Sequence, residues 1–274
     1  LMSARVVRDM PEAAYHAHPA LSPSRAERLL PPSCPAKFHA PDPERTDAME
    51  FGKLVHKLAL EPEAESGYVP IDGNWSHKEP RDAVAAVRAA GLEPIKPEVM
   101  DRAKRMAEKL RTHPVAAALL DDGNPEVSLF WTDEATGVEC RARLDWLRNP
   151  VEGRRLLIPD LKSARSGSPT EFGKAAKDFG YHMQDAWYRA GAKACGLDDD
   201  PAFVFIVQEK TEPFIVSPYE LDDDGRAIGE LLMRQALETY AQCNATGIWP
   251  DYTGGEVRSL PLPHWYVREY EELI

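Results

Sequence analysis

The sequence predicts an α/β domain, with a mixed central sheet of about five strands flanked by helices on both faces. Three observations predict it. Residues 127–164 read as three strands joined by turns: VSLFWTD, VECRARLDWLR and RRLLIPDLKSA, with EATG and NPVEG between them. From Phe172 to Ala190 apolar residues recur at intervals of three and four, the stripe of a helix that lies on a sheet. Two further segments, AFVFIVQEK and PFIVSPY, have the Val, Ile and Phe content of interior strands.

With 274 residues, 43% of them hydrophobic and 28% charged, the chain can bury one large core. A single domain over residues 1–274 is expected. It has a mainly helical part at 21–122, the sheet and its helix at 123–220, and a C-terminal helix with an extended tail at 221–274. No stretch approaches the ~20 apolar residues of a membrane helix, and the N-terminal residues lack the apolar run of a secretory signal. A cytoplasmic protein without membrane contact is expected. Cys34, Cys140, Cys195 and Cys243 are scattered and form no C-x-x-C, which suggests neither a disulfide framework nor a zinc site.

The net charge of −12 argues against a general nucleic-acid coat, because lysine and arginine drive phosphate binding. It still permits a basic path confined to a channel. Arg141, Arg143, Arg154, Arg155, Lys162, Arg165, Lys174 and Lys177 are the local candidates, against the alternative of a solvated sheet edge and helix face.

Taken in order, Ser22-Pro23-Ser24 supplies a cap and an N1-like proline for a short helix ending in Leu29 and Leu30. Phe51, Leu54, Val55 and Leu58 mark one buried face of a helix over 47–60, with His56 beside that face. Residues 61–91 read as an irregular excursion with a short hairpin through Tyr68 to Ile71, then a helix from RDAVAAVRAA; Trp75, His77 and Lys78 lie on its loop. A helix carrying Met100, Ala103, Met106 and Leu110 follows, with a break at Pro114. One helix from Glu171 to Cys195 is expected to bury Phe172, Ala176, Phe179, Met183 and Trp187. Leu231, Leu232, Ala236 and Tyr240 face inward from a helix over 226–246. The aromatic, proline-rich tail reads as an extended cover, with Trp249, Trp265 and Tyr266 as core or subunit contacts.

The charged residues of the central strands are placed for chemistry. Alternation puts Cys140, Ala142 and Leu144 on one face of their strand and Glu139, Arg141, Arg143 and Asp145 on the other. In the next strand Asp160 and Lys162 share a face opposite Leu161. Antiparallel pairing across the Asn149 to Gly153 turn would bring Asp145 towards Asp160. Two carboxylates so placed repel unless a cation joins them, and a hard ion such as Mg²⁺ takes oxygen ligands. A bare D-x-K is common, and solvated strand-end charges are its ordinary reading.

An Asp closing one strand, Asp160-Leu161-Lys162 in the next, and Gln184-Asp185-Ala186-Trp187-Tyr188 on the following helix together resemble the PD-(D/E)XK nucleases. Within that superfamily the chain resembles the exodeoxyribonuclease VIII (RecE-type) and RecB-like exonucleases. LSPSRAERLL, FGKLVHKLALEP, VQEKTEPF, WPDY and LPLPHWY extend the resemblance over residues 21–266. It implies a restriction-endonuclease-like core and a catalytic set of Lys162, Asp145, Asp160, Gln184 and Tyr188. It also implies metal ligands His56, Asp145, Asp160 and the Leu161 carbonyl. The ion would be Mg²⁺, with Mn²⁺ as a substitute.

Ser22, Ser24, Arg25 and Arg165 are the implied nucleic-acid contacts. Residue type alone reads the serines as caps and His56 as a packed helical residue; Glu50, Glu209 and Lys210 are weaker neighbours of the site. Some RecB-like relatives hold an iron–sulfur cluster with one early and three clustered late cysteines. That spacing is absent, so no cluster is expected. The implied activity is 5′→3′ degradation of linear double-stranded DNA from its ends in phage, prophage or bacterial recombination. The implied assembly is a ring-like homo-oligomer, a trimer or tetramer, with a single-strand annealing protein as partner. A repair nuclease or endonuclease of the same fold, or a silent DNA- or protein-binding module, is the alternative.

Overall fold

The computed structural model describes residues 3–42, 46–64 and 66–271. In chain order it forms β1 (Arg5–Val7), α1 (Glu12–Ala17), α2 (Pro23–Glu27), α3 (Asp47–Leu60), β2 (Tyr68–Pro70), α4 (Lys78–Ala89) and β3 (Glu93–Ile95). Then come α5 (Pro97–Thr112), α6 (Pro114–Leu119), β4 (Gly123–Thr132), β5 (Glu139–Arg148) and β6 (Leu157–Ala164). The chain continues through α7 (Pro169–Asp178), α8 (Tyr181–Ala194), β7 (Ala202–Glu209), β8 (Val216–Tyr219), α9 (Asp223–Thr246) and α10 (His264–Glu269).

The α/β class is as predicted, and the strands sort into small sheets. β4 pairs antiparallel with both β1 and β5, in the order β1-β4-β5. β6 pairs parallel with β7, which pairs antiparallel with β8. The parallel step needs a crossover, and α7 and α8 supply it. The segment read as a hairpin near Tyr68 is instead one strand of a parallel pair, β2 with β3.

Helices cover both faces. On one side Leu129, Trp131, Ala142, Leu144, Ile158, Phe203 and Phe205 pack with Met183, Trp187, Ala236 and Leu237 of α8 and α9. On the other, Leu161, Val204 and Ile206 pack with Leu54 and Val55 of α3 and Ala103, Met106 and Leu110 of α5. Strand alternation thus gives β6 and β7 two buried faces, and Asp160 and Lys162 fall on the α8 side.

Between β5 and β6 no backbone ladder is found among the described residues. The edge of β5 is occupied at its start by Leu21, whose N–H donates to Glu139 O at 2.8 Å and whose carbonyl accepts Arg141 N–H at 2.8 Å. Farther along, the Asp145 carboxylate accepts the Leu161 N–H at 2.8 Å, so a side chain stands where a ladder carbonyl would. The β4–β5 register also skips Glu126 opposite Asp145, and Glu126 takes φ 53°, a left-handed backbone that costs a non-glycine residue roughly 1–2 kcal/mol.

Two expectations need correction. The helix over 171–195 is two helices that break at Phe179 and Gly180, because Gly180 takes φ 64°. Phe179 consequently turns out of the core. Trp249 stacks on Phe38 at a 4.9 Å centroid distance, as a core contact should, but Trp265 is 66% exposed and Tyr266 is exposed as well. The tail therefore does not cover the domain.

Candidate active site

A cavity of about 840 Å³ opens between α3, β5 and the start of α8. Ser22, Ser24, His56, Asp145, Gln184 and Tyr188 of the expected site line it, with Asp160 and Lys162 directly behind. Thr46 caps α3 by accepting Met49 N–H, and the buried stripe of α3 then directs His56 at β5. His56 Nδ1 lies 3.6 Å from Asp145 Oδ2, too far for a hydrogen bond, and the Leu161 carbonyl is within hydrogen-bonding reach of the imidazole. Asp145, Leu161 and His56 therefore meet at one point.

Asp160 lies deeper, with 1% of its side chain exposed. Gln184 Nε2 donates to its Oδ1 at 2.9 Å. Lys162 Nζ meets Oδ2 at 2.5 Å, a charge-assisted contact that engages this buried oxygen. Tyr188, also buried, shares a hydrogen bond with Gln184 and packs edge-on to Phe203. Lys162 Nζ also sits over the Tyr181 ring, 4.7 Å from its centroid, a cation–π contact not foreseen from the sequence.

Burial dominates the electrostatics. It pushes the Asp145 carboxyl up to about 6 against the pull of Lys162, with Glu126 adding to the rise. It pushes Asp160 up to about 6 as well, again opposed by Lys162 and reinforced by Asp145. Burial also works against the Lys162 charge, but Asp160 and Asp145 outweigh it and hold the ammonium more firmly protonated. His56 is driven toward its neutral form by burial and by Lys162. A neutral imidazole is the form that can ligate a metal.

Glu126 is the functional candidate that the sequence reading missed. It lines the cavity opposite Asp145 and is gripped by Arg143 Nε at 2.5 Å. Nothing in its sequence context distinguishes it from a surface glutamate. Arg141, buried in the wall, donates to Tyr15 O and lies over the Tyr15 ring, while its Nε has no hydrogen-bond partner.

Two expected nucleic-acid contacts lie elsewhere. Arg25 stands over the Phe38 ring at 4.7 Å and does not line the cavity. Arg165 is exposed beyond the end of β6 and does not line it either. Ser22 occupies the N-cap position of α2 but makes no cap bond; its hydroxyl pairs with Ser24 at 3.2 Å.

Helices on both faces of strands that carry Asp145 and Asp160-Leu161-Lys162 set the terms for comparison. A family model described as a PDDEXK-like domain of unknown function, DUF3799, matches residues 33–258. The chain belongs to this PDDEXK-like family. The crystal structure of a candidate exonuclease from Eubacterium rectale superposes at a TM-score of 0.58 with 9% identity, covering 95% of this chain and 98% of that one. This PDDEXK-like chain thus shares its fold. A second structure, that of SSO0001, reaches only 0.30 at 12% identity over 84% of this chain and 96% of its own, too low to bear on the fold. Among curated proteins none matches the sequence.

The PDDEXK-like site is suited to a divalent ion on one observation of its own. Two buried carboxyls, Asp145 and Asp160, are both pushed up to about 6 and share one ammonium, Lys162, so a further cation would offset the charge that both carry when ionised. Among the described residues no three His, Cys, Asp or Glu side chains are already gathered as a full ligand set. Asp145, the Leu161 carbonyl and His56 gather at one point, and Asp160 lies deeper behind them. That set suits an ion that keeps several of its waters. Among the described residues no helix is long and apolar enough to cross a membrane.

Proposed function

We propose that this PDDEXK-like protein is a Mg²⁺-dependent deoxyribonuclease that degrades linear double-stranded DNA from its ends in the 5′→3′ direction. The carrying observation is a pair of buried carboxyls, Asp145 on the cavity wall and Asp160 behind it, that share the single Lys162 ammonium beside His56. Bound by Asp145, Asp160, the Leu161 carbonyl and His56, the ion would supply an acidified water and neutralise charge on the phosphate.

Lys162, held protonated, sets its ammonium against the charge that builds on the phosphate oxygens. Gln184 fixes Asp160 through Oδ1, and Lys162 holds Oδ2. Tyr188 in turn holds Gln184. Lys53, Lys57, Arg141 and Arg143 bring positive charge to the cavity wall, with Arg143 held by Glu126.

Order and spacing of the motifs resemble RecE-type and RecB-like exonucleases, and this resemblance supports the end-dependent activity and its polarity. It also supports a cytoplasmic role in phage or bacterial recombination. A ring-like trimer or tetramer, a single-strand annealing partner and Mn²⁺ as a substitute ion belong to the same reading.

The test is digestion of linear duplex DNA labelled at each 5′ end, beside a closed circle, in Mg²⁺ or EDTA, with Lys162→Ala as control. Metal-dependent release of 5′ label from linear DNA alone, lost in Lys162→Ala, is the expected result. Cutting of the circle would replace the exonuclease with an endonuclease, and intact DNA throughout would overturn the enzyme.

A further inference from the structure

Phe179 sits in an unusual place for a large apolar side chain. The pattern Phe172, Ala176, Phe179, Met183 would bury it if the helix ran on, yet it is 64% exposed at the rim of the polar cavity. The break that turns it outward is built in. Phe179 N–H closes α7 on Ala175 O at 2.9 Å, and Gln184 N–H bonds Gly180 O at 3.0 Å as α8 begins. Between them Gly180 holds φ 64°, and a Cβ there would lie 2.6 Å from the Glu27 carboxylate. Any other residue at 180 would therefore meet backbone strain and would displace the Glu27 carboxylate.

The ring is also backed. Tyr181 stacks behind Phe179, with centroids 5.7 Å apart and planes at 29°. Tyr181 packs in turn on Phe172 and Phe205, both buried, and its ring carries Lys162 Nζ. A fixed aromatic column therefore leads from the catalytic lysine to an open ring face at the cavity rim. A single exposed apolar residue is ordinary on a protein surface. One that closes such a column beside a phosphate-directed site is placed for a planar ligand.

We propose that Phe179 is a stacking platform for an unpaired nucleobase at the strand end, and so a positioning residue for the nucleotide whose phosphate reaches Lys162. This rests on the nuclease reading above. Aromatic stacking tolerates every base, because each has a π face, so the contact would place the strand without selecting sequence. A base inside a duplex has both faces covered by its neighbours; a frayed or overhanging one offers a face. The substrate class is thus a duplex end with at least one unpaired nucleotide.

The test uses the full chain in EDTA, where cleavage is silent, with duplexes carrying 2-aminopurine at an overhanging 5′ terminus or internally. Binding should quench the terminal probe and leave the internal probe unchanged. Phe179→Ala should abolish the quench and weaken binding about 5- to 150-fold. Phe179→Trp should restore both, whereas Phe179→Leu, apolar but unable to stack, should not. In Mg²⁺ the Ala variant should raise KM more than it lowers kcat.

If wild-type protein binds and cuts DNA while Phe179→Ala quenches and binds as well as wild type, the platform is refuted and the nuclease stands. Quenching restored equally by Leu would refute stacking in favour of plain apolar contact. If wild-type protein neither binds nor cuts DNA, the nuclease reading falls and the platform with it.

Discussion

Two buried carboxylate–cation pairs flank α8, and they are finished differently. On its outer side Arg189 Nε meets Asp185 Oδ1 at 2.5 Å and Nη2 meets Glu230 at 3.1 Å, a fork that uses guanidinium geometry in two directions. On the sheet side Lys162 meets Asp160 Oδ2 at 2.5 Å as a point charge, while Gln184 donates to Oδ1 at 2.9 Å. Burial raises both carboxyls above their usual range, with the cation opposing it in each case. Burial of an ion pair is therefore no mark of chemistry. What separates the two is their place: Asp160 and Lys162 lie directly behind the cavity that Asp145 lines, whereas Asp185 and Arg189 are tied into a helix–helix network away from it.

The comparison breaks most sharply at the cations. Lys162→Ala should lower the cleavage rate by about 10²–10³-fold, the range seen when one preorganised charge-stabilising donor is removed; single-turnover digestion measures it. Arg189→Met should do the reverse. Leaving Asp185 buried without its partner should cost about 3–5 kcal/mol in urea unfolding, with activity per folded molecule unchanged. A large activity loss in Arg189→Met at full folding would erase the distinction.

A pH series sharpens it. Asp145 and Asp160 have folded values near 6, above the ordinary value of 3.8. The folded state then binds more protons than the unfolded state between about pH 4 and 6, so their contribution to stability is full below 4 and lost as pH rises through 6. The metal-free protein should melt at a higher temperature near pH 5 than near pH 7. Asp145→Asn with Asp160→Asn should flatten that difference, and Mg²⁺ should raise Tm chiefly at the upper end. A profile unchanged by the double variant would show that neither carboxyl titrates in this window.

The smallest effect belongs to Arg25. Arg25→Ala should cost about 0.5–1 kcal/mol through the lost contact with the Phe38 ring, and DNA affinity should stay within error in a filter-binding assay.

Much of this was legible in the chain. The apolar stripe of α3 and the caps and proline around α5 and α6 gave helices close to those found, because local periodicity and chain-breaking residues act within a few positions. Asp145, Asp160, Lys162 and Gln184 were legible because strand and helix periods fix which face each occupies. Glu126 was not, since its place depends on a positive φ where the pairing with β5 skips a residue. Phe179 was misread because its apolar spacing continues the helical stripe, whereas the chain breaks at Gly180 with φ 64°. Arg25 stands off the cavity because the Phe38 ring, outside its own helix, holds its guanidinium. Contacts outside the local sequence decided the misses at Glu126 and Arg25.

The Leu21 bridge has a consequence for solution behaviour. By joining both the Glu139 carbonyl and the Arg141 N–H, it shuts the rim of β5 against foreign backbone. Peeling the segment before Ser22 away would bare a strip of strand whose inner face is apolar, an adhesive surface for a neighbouring molecule's strand. The same motion would pull Ser22 and Ser24 from the cavity wall. Aggregation and loss of the binding surface would then share one origin, and a protease that nicks this segment should produce both together.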